Sequence, residues 1–150
     1  MDSGATLHHG NERTVGYLRI SPDERPLVVR IFGSEPEVMA EAAKMVEDAG
    51  ADLVDVNFGC PSEGDQDKCG SDAARGPAAR LRGRRAVAGA VTVPVTVKMR
   101  RGLESGSRAC LELGPTLVEA GTSSLTLHRR SVRQMYTGEA VHSLSGSSSR

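Results

Sequence analysis

The stretch PLVVRIFGSEPEVMAEAAKMVEDAGADLVDVNF, residues 26–58, contains the pattern that decides the fold. Residues 26–32 are a brief β-branched run with polar boundaries, which is typical of a strand buried on both faces. Residues 51–58 repeat that character after an interval of helical periodicity. The stretch therefore predicts one strand, one helix and a second strand.

The helix between these strands has start and stop signals. Ser34 is placed to be its N-cap, with Glu37 completing a capping box and Pro36 suited to the first turn. Val38 and the apolar residues that follow it recur at helical spacing, and Gly50 supplies the stop. We therefore expect a helix between about residues 34 and 50.

The same alternation continues along the chain. Strands are predicted at residues 93–99 and 123–128, and a helix at about 105–120. The intervening segment, residues 69–90, should supply a crossover helix from about 78 to 90. It carries several glycines and a proline, and because each interior glycine costs a helix about 1 kcal/mol, we expect that helix to be short and poorly anchored.

This order of elements is typical of an α/β fold with about four parallel βα units. With 150 residues the chain has room for one domain, which we place at residues 27–140. Residues 1–26 read as an irregular segment with one helical turn near TVGYLRI, and residues 141–150 as a low-complexity, disordered tail.

Composition excludes several classes of protein. The 19 basic and 19 acidic side chains cancel, no stretch is apolar enough to span a membrane, and the N-terminus lacks a signal pattern, so we expect a cytoplasmic protein. The three cysteines, an odd number, argue against a disulfide framework, and without close metal-ligand spacing we predict no metal site. No glycine-rich phosphate loop is present.

Residues 75–101 contain seven arginines and one lysine without a carboxylate, which indicates either a basic surface or a solvated helix face.

Reactive side chains fall at the ends of the predicted strands. In parallel α/β folds the carboxyl edge of the sheet is where ligands bind. The residues that lie in the last positions of a strand, or just after it, are Arg30, Asn57, Cys60, Lys98, Arg100, His128 and Arg130. Their convergence on one edge predicts a binding or catalytic site.

Each of these side chains also has a purely structural interpretation. Asn57 can bind an amide-bearing heterocycle, and Cys60 can act as an acid or a nucleophile; alternatively they are a turn former and a small buried residue. Lys98 either meets an electron-rich ligand or extends to the rim. His128, followed by two arginines, suits a phosphate or the polar edge of a flavin, or is a surface histidine.

Taken together, the segments GADLVDVNFGCPSE, VPVTVKMRRGLE and AGTSSLTLHRRSVRQMYTGEA resemble, in order, the strand-end motifs of the tRNA-dihydrouridine synthase family. RIFGSEPEVMAEAAKMVEDAG is similar to the preceding βα unit, and the similarity covers about residues 11–140. The resemblance implies a flavin-bearing (β/α)₈ TIM barrel, followed in the family by a helical RNA-binding domain.

The resemblance also implies roles for the site residues. Cys60 is similar to the general acid that protonates uracil C5 while FMN, reduced by NADPH, delivers hydride to C6. Asn57 resembles the residue that contacts both base and flavin, and Lys98 and His128 resemble flavin ligands. Arg30 occupies a cofactor-binding position, and Arg100 and Arg130 are expected to contact phosphate or tRNA.

The chain departs from the family at several points. The family usually has glutamine where Arg30 stands, HGRT where this chain has HRRS, and a GAGAALL helix start where this chain has the segment around residues 72–90. A reading-frame error is one hypothesis for that segment. Since a full barrel needs roughly 250 residues, we expect a truncated piece that lacks the first strand and the flavin-phosphate strands and folds poorly alone.

The leading functional hypothesis is therefore FMN- and NADPH-dependent reduction of uridine to 5,6-dihydrouridine in tRNA. One alternative is a flavin enzyme acting on a free pyrimidine, of the dihydroorotate or dihydropyrimidine dehydrogenase type. Another is a non-catalytic remnant that binds RNA weakly. The sequence leaves the modified tRNA position and the oligomeric state open.

Overall fold

In the computed structural model of this chain, the described residues are 2–3, 23, 25–59 and 76–140. Five strands form one sheet in chain order, β1 Asp2–Ser3, β2 Val28–Phe32, β3 Leu53–Asn57, β4 Val95–Arg100 and β5 Ser124–His128. The described helices are α1 Pro36–Asp48, α2 Gly76–Ala90 and α3 Ala109–Glu119. All neighbouring strands pair in parallel, which confirms the predicted α/β class.

The core lies between the sheet and its helices. Val54 and Val56 of β3 are fully buried, because alternate residues of a strand point to the same face and this face is covered by the helices. They belong to one apolar cluster with Val46 of α1 and Leu117 of α3. Burying a side chain of this size stabilises a protein by roughly 1.5–3 kcal/mol, so this cluster is the main support of the sheet.

Strand β2 is less buried than its sequence indicates. Val28 is 49% exposed and, within this strand, Ile31 alone is buried. The prediction of burial on both faces is therefore wrong, since the described helices cover one face of the sheet.

The start of α1 differs from the prediction. Glu35, not Ser34, is the N-cap residue; its backbone is extended (φ −100°, ψ 117°) and no side chain caps the helix. Pro36 explains the difference, because a proline ring disfavours the helical conformation in the residue before it. The predicted capping box of Ser34 and Glu37 is therefore wrong.

The ends of α1 and α3 share one motif. Gly50 and Gly121 have positive φ values of 94° and 88° directly after the two helices. In α1 the Gly50 N–H donates to the Glu47 carbonyl (2.8 Å) and the Ala51 N–H donates to the Val46 carbonyl (3.2 Å). This is a Schellman motif, and its left-handed residue favours glycine. The predicted stop at Gly50 is confirmed.

Helix α2 is longer than predicted and begins at Gly76. It packs chiefly against α1, and Val87 is buried. Arg80 and Arg84 are also buried, and Arg84 Nε donates to Thr122 Oγ1 at 2.9 Å. Part of the arginine-rich segment therefore lies inside the fold, and its basic surface is smaller than its composition indicates.

One further difference concerns the start of the chain. The short strand Asp2–Ser3 pairs with β2, although two residues carry no periodicity that could have predicted it. The predicted helical turn near TVGYLRI and the tail 141–150 lie outside the described residues. Within the described ranges, none of the helices has the length and apolar character needed to cross a bilayer.

Candidate active site

The second face of the sheet carries the polar side chains. Asp55 and Asn57 alternate with the buried valines of β3 and therefore lie on this opposite face. Paired residues of a parallel ladder share a face, and Asn57 pairs with Lys98 of β4. One row further toward the carboxyl ends, Arg100 pairs with His128 of β5. The structure thus brings together four of the predicted site residues.

The predicted catalytic cysteine, Cys60, lies outside the described residues, and so does Cys69. The neighbouring Gly59 is described and is buried. Cys110 is a buried free cysteine of α3, and burial raises the pKa of its thiol. Cys110 is thus part of the helical core and not of the candidate site.

Arg30 lies one row below this edge, where it pairs with Asp55. Arg30 Nε donates to Asp55 Oδ2, and Thr96 Oγ1 donates to Asp55 Oδ1 at 2.6 Å. The Asp55 side chain is 4% exposed, so the two donors compensate a buried carboxylate. Arg30 is therefore held by a carboxylate below the site.

Asn57 is buried and shapes the exit from β3. Its Oδ1 accepts a hydrogen bond from the Gly59 N–H at 2.9 Å, an arrangement by which asparagine side chains commonly stabilise turns. The Phe58 N–H donates to the Lys98 carbonyl at 2.8 Å, so the ladder continues one residue past the strand. These contacts fix the orientation of the Asn57 amide.

Gly59 lies where the chain leaves β3 and approaches the end of β4. A Cβ atom at this position would lie 2.8 Å from Lys98 Nζ and 3.2 Å from the Arg100 backbone nitrogen. Real Cβ atoms essentially never come as close as the first of these distances. Lys98 Nζ is the end of a flexible side chain and can move aside, whereas the Arg100 backbone cannot, so the approach to β4 favours glycine at position 59.

Arg100 ties two segments of the site together. Its Nε donates to the Gly59 carbonyl (3.1 Å), and its Nη1 donates to the carbonyls of Ser131 (2.9 Å) and Met135 (2.9 Å). The side chain is buried. Arg100 therefore links the segment after β3 to the turn after β5.

The environment of His128 favours the neutral form of its ring. Burial lowers its pKa, and the positive charges of Arg100, Lys98 and Arg130 lower it further. The Arg130 N–H donates to His128 Nδ1 at 3.3 Å, so Nδ1 carries no proton. The ring proton is then on Nε2, and His128 offers a neutral donor to a ligand.

Arg130 lies two residues beyond β5, at the edge of the site. Its Nε donates to the Gly138 carbonyl at 3.2 Å in an exposed position. Among the described residues, no group of three or more histidine, cysteine or acidic side chains could hold a metal ion.

The site is rich in hydrogen-bond donors and positive charge. Lys98 offers an ammonium group beside Asn57, and His128 offers a ring N–H on the next strand, one row further toward the carboxyl ends. Such a donor set suits a ligand whose edge is rich in acceptors, such as the pyrimidine side of a flavin or a phosphate group. The chemistry of these residues therefore fits a flavin nucleotide.

Sequence reasoning missed Asp55 as a contributor to this site, and it noted Gly59 only as part of the motif that contains Cys60. The signal for Asp55 is its position two residues before Asn57, which places both on one face of β3. Its partnership with Arg30 depends on the register between β2 and β3, which the sequence does not specify.

Comparison with known proteins agrees with the resemblance noted from the motifs. Residues 1–143 match the model of the family described as dihydrouridine synthase (Dus). A probable tRNA-dihydrouridine synthase 1 of Synechocystis sp. is 39% identical over 142 residues, which is 93% of this chain and 39% of that protein. The tRNA-dihydrouridine synthase B of Vibrio cholerae is 40% identical over 115 residues, or 76% of this chain and 36% of that protein.

A third relative, a probable tRNA-dihydrouridine synthase of Rhodobacter capsulatus, is 40% identical over 116 residues, or 77% of this chain and 36% of that protein. The chain thus spans between 36% and 39% of the length of these three relatives. Its parallel strands in chain order agree with part of a (β/α)₈ barrel. The match over nearly the whole chain shows that it belongs to the dihydrouridine synthase family.

Proposed function

We propose that this chain carries the flavin and uridine site of a tRNA-dihydrouridine synthase. The reaction is the reduction of the C5=C6 bond of uridine in tRNA, with FMN as cofactor and NADPH as the source of hydride. The observation that carries this proposal is the pairing of Asn57 with Lys98 and of Arg100 with His128 in adjacent rows. These rows lie beside Gly59, which directly precedes Cys60.

Lys98 and His128 are proposed to hold the acceptor-rich edge of the flavin. FMN would supply the hydride that uracil accepts at C6. A cation and a neutral donor at that edge would stabilise the negative charge of the reduced cofactor. Because His128 is neutral, it can donate a hydrogen bond without adding another full charge beside Lys98.

Cys60 is proposed to give a proton to uracil C5. Hydride addition at C6 leaves negative charge on C5 and the adjoining carbonyl, so a proton donor near C5 completes the reduction. The thiolate formed in this step regains its proton from solvent. Asn57 is proposed to orient the base, since its amide both donates and accepts hydrogen bonds.

The proposal also assigns binding roles to three arginines. Arg30, which Asp55 holds below the site, contributes to cofactor binding, and Arg130 contacts phosphate of the RNA. Arg100, whose donors meet three backbone carbonyls, contributes to the RNA-binding edge by fixing the segments that form it. The target uridine must leave its stack to reach Cys60, as in other enzymes that modify bases.

The test uses the 150-residue chain with FMN, NADPH and unmodified tRNA. Stoichiometric FMN binding, seen as flavin absorbance that co-elutes with protein, together with a mass gain of two hydrogens in the tRNA, would support the proposal and would overturn the expectation that this piece folds poorly alone. Cys60→Ala should retain FMN and lose reduction, because it removes the proton donor alone. Cys69→Ala is the matched control and should retain both.

Two results would contradict the proposal. Turnover of free uracil or dihydroorotate without turnover of tRNA would identify the other class of flavin enzyme. A folded chain with salt-dependent RNA binding but no FMN binding would identify a non-catalytic remnant.

A further inference from the structure

The turn after β5, residues 129–138, is bonded to the loop after β4, residues 101–107. The Val132 N–H donates to the Gly102 carbonyl at 2.9 Å, and the next N–H of the turn donates to the next carbonyl of the loop at 3.1 Å. The turn is therefore held against a neighbouring segment by its backbone as well as by its side chains.

Gln134 is the side chain that organises this turn. Its Oε1 accepts hydrogen bonds from the Ser131 N–H (3.0 Å) and from Arg101 Nη2 (2.8 Å). The Gln134 N–H donates in return to Ser131 Oγ (3.2 Å), and Ser131 is fully buried. One amide oxygen thus joins the start of the turn to the loop after β4.

Arg101 depends on this acceptor. It is 5% exposed, and its Nε has no hydrogen-bond partner among the described residues. Its Nη2 donates to the Ser105 carbonyl and to Gln134 Oε1. Because a buried donor without an acceptor costs free energy, a guanidinium that already has one unmet donor favours an oxygen acceptor at position 134.

The fixed start of the turn lies next to His128. The Arg101 N–H donates to the His128 carbonyl at 3.2 Å, and the Ser131 N–H is held by Gln134. Only two residues lie between these anchored points. The Arg130 N–H, which donates to His128 Nδ1 at 3.3 Å, therefore has little freedom to turn away.

This hydrogen bond decides which ring nitrogen of His128 carries the proton. A neutral imidazole has one N–H and one bare nitrogen, and the hydrogen bond made at one nitrogen sets the state of the other. With the Arg130 N–H on Nδ1, the proton is on Nε2. The donor that His128 offers thus depends on the backbone of the turn that follows it.

We propose that Gln134 is a positioning residue for His128. By holding the Ser131 N–H, it keeps the Arg130 N–H on Nδ1, and the ring proton then stays on Nε2, where an acceptor of the flavin can receive it. This inference rests on the proposed function and adds to it a residue that acts through His128.

The first test measures the FMN affinity of the 150-residue chain by titration. Gln134→Met keeps the length of the side chain and removes its oxygen, so it should weaken FMN binding about 2- to 12-fold, the range for one lost hydrogen bond. Gln134→Glu keeps an oxygen acceptor and should bind within about twofold of the unaltered chain. Thr137→Val removes an exposed hydroxyl contact to the Gln134 carbonyl (2.9 Å); it is the matched control and should have no effect.

A double-mutant cycle with His128→Ala separates positioning from a purely structural role. If Gln134 acts through His128, Gln134→Met should cause no further loss of FMN affinity once His128 has been replaced. A purely structural role would instead give the same loss in both backgrounds.

A second readout needs no flavin. The ¹⁵N resonances of the His128 ring, assigned with the His128→Ala variant, identify the nitrogen that carries the proton at a pH where the ring is neutral. We expect the proton on Nε2 in the unaltered chain, in Gln134→Glu and in Thr137→Val. In Gln134→Met the two ring resonances should move toward each other, because the second tautomer becomes populated.

The inference is overturned if Gln134→Met binds FMN as tightly as the unaltered chain, or if its loss of affinity persists beside His128→Ala. It is also overturned if the ring resonances of His128 do not move in Gln134→Met, or if Gln134→Glu is as weak as Gln134→Met. A chain that binds FMN and never forms dihydrouridine would contradict the proposed function alone. A chain that does not bind FMN would also contradict the proposed function, and the ring resonances would then decide this inference.

Discussion

Gly59 is the residue at which the candidate site is most crowded. We expect Gly59→Ala to destabilise the protein by roughly 1 kcal/mol, because the added Cβ meets the Arg100 backbone nitrogen at 3.2 Å and Arg100 Cγ at 3.1 Å, and Arg100 is held in place by its hydrogen bonds. Urea unfolding measures the change. Gly106→Ala is the matched control, since a Cβ there meets nothing within 4 Å. Equal stability of the two variants would mean that Gly59 is not confined.

Arg100 is the residue that joins the two segments beside the site. Arg100→Met should lower the free energy of unfolding by roughly 3 kcal/mol, because buried carbonyls of Gly59, Ser131 and Met135 lose their donor. Arg130→Met removes an exposed contact to Gly138 and should cost less than about 0.5 kcal/mol. Thermal unfolding of both variants compares the two losses of stability. A similar loss for both would mean that Arg100 does not link the segments after β3 and β5.

Two carboxylates at the ends of elements make stability depend on pH. The pKa of Glu47 is lowered, first by the Thr92 hydroxyl and then by the Thr92 N–H, and the pKa of Asp52 is lowered, first by the Leu27 N–H. The folded state binds these protons less readily than the unfolded chain does. The stability that these two carboxylates contribute is therefore fully present above their ordinary pKa values. It is lost as the pH falls through their lowered, folded-state pKa values.

Glu47→Gln tests the pH dependence of stability at the contact between α1 and the loop before β4. The charged acceptor for Thr92 and Val93 is removed, so the loss of stability as the pH falls below the ordinary carboxylate pKa should become shallower. Unfolding midpoints across that range measure the slope. Glu139→Gln, at an exposed position, is the control, and the prediction fails if both variants keep the original slope.

Helix α2 shows which features of an element its sequence predicts and which depend on packing. Its glycines predict a short and poorly anchored helix, and this prediction is wrong: the helix extends to Gly76 and packs against α1, because packing outweighs propensity. The start of α1 differs from its capping pattern because Pro36 keeps Glu35 in an extended conformation, which makes Glu35 the N-cap residue. The convergence of Asn57, Lys98 and His128 was predictable from strand ends, whereas the Arg30–Asp55 contact required the register.

The same helix offers a gain in stability. Gly83 and Gly89 lie inside α2, and a Cβ at either position meets nothing within 4 Å. Gly83→Ala and Gly89→Ala should each stabilise the protein by about 0.5–1 kcal/mol, because alanine loses less backbone entropy on folding than glycine does. Chemical denaturation measures the gain, and a loss would mean that these two positions are not open helical positions in the native state.

At the scale of the whole molecule, the sheet has unequal strands. Strand β3 pairs with both β2 and β4, whereas β5 pairs with β4 alone among the described strands. The apolar face of β3 is fully buried, and the residues of β5 are exposed or half-buried. Local opening should therefore cost less free energy at β5 than at β3.

Native-state hydrogen exchange tests this ranking residue by residue. We expect the amides of Val54 and Val56 to exchange at least about tenfold more slowly than those of β5, because their strand is flanked on both sides and lies over the helical core. Val97 of β4, which is fully buried and also has neighbours on both sides, is the internal comparison and should resemble β3. Equal protection of β3 and β5 would mean that β5 has a further partner in solution.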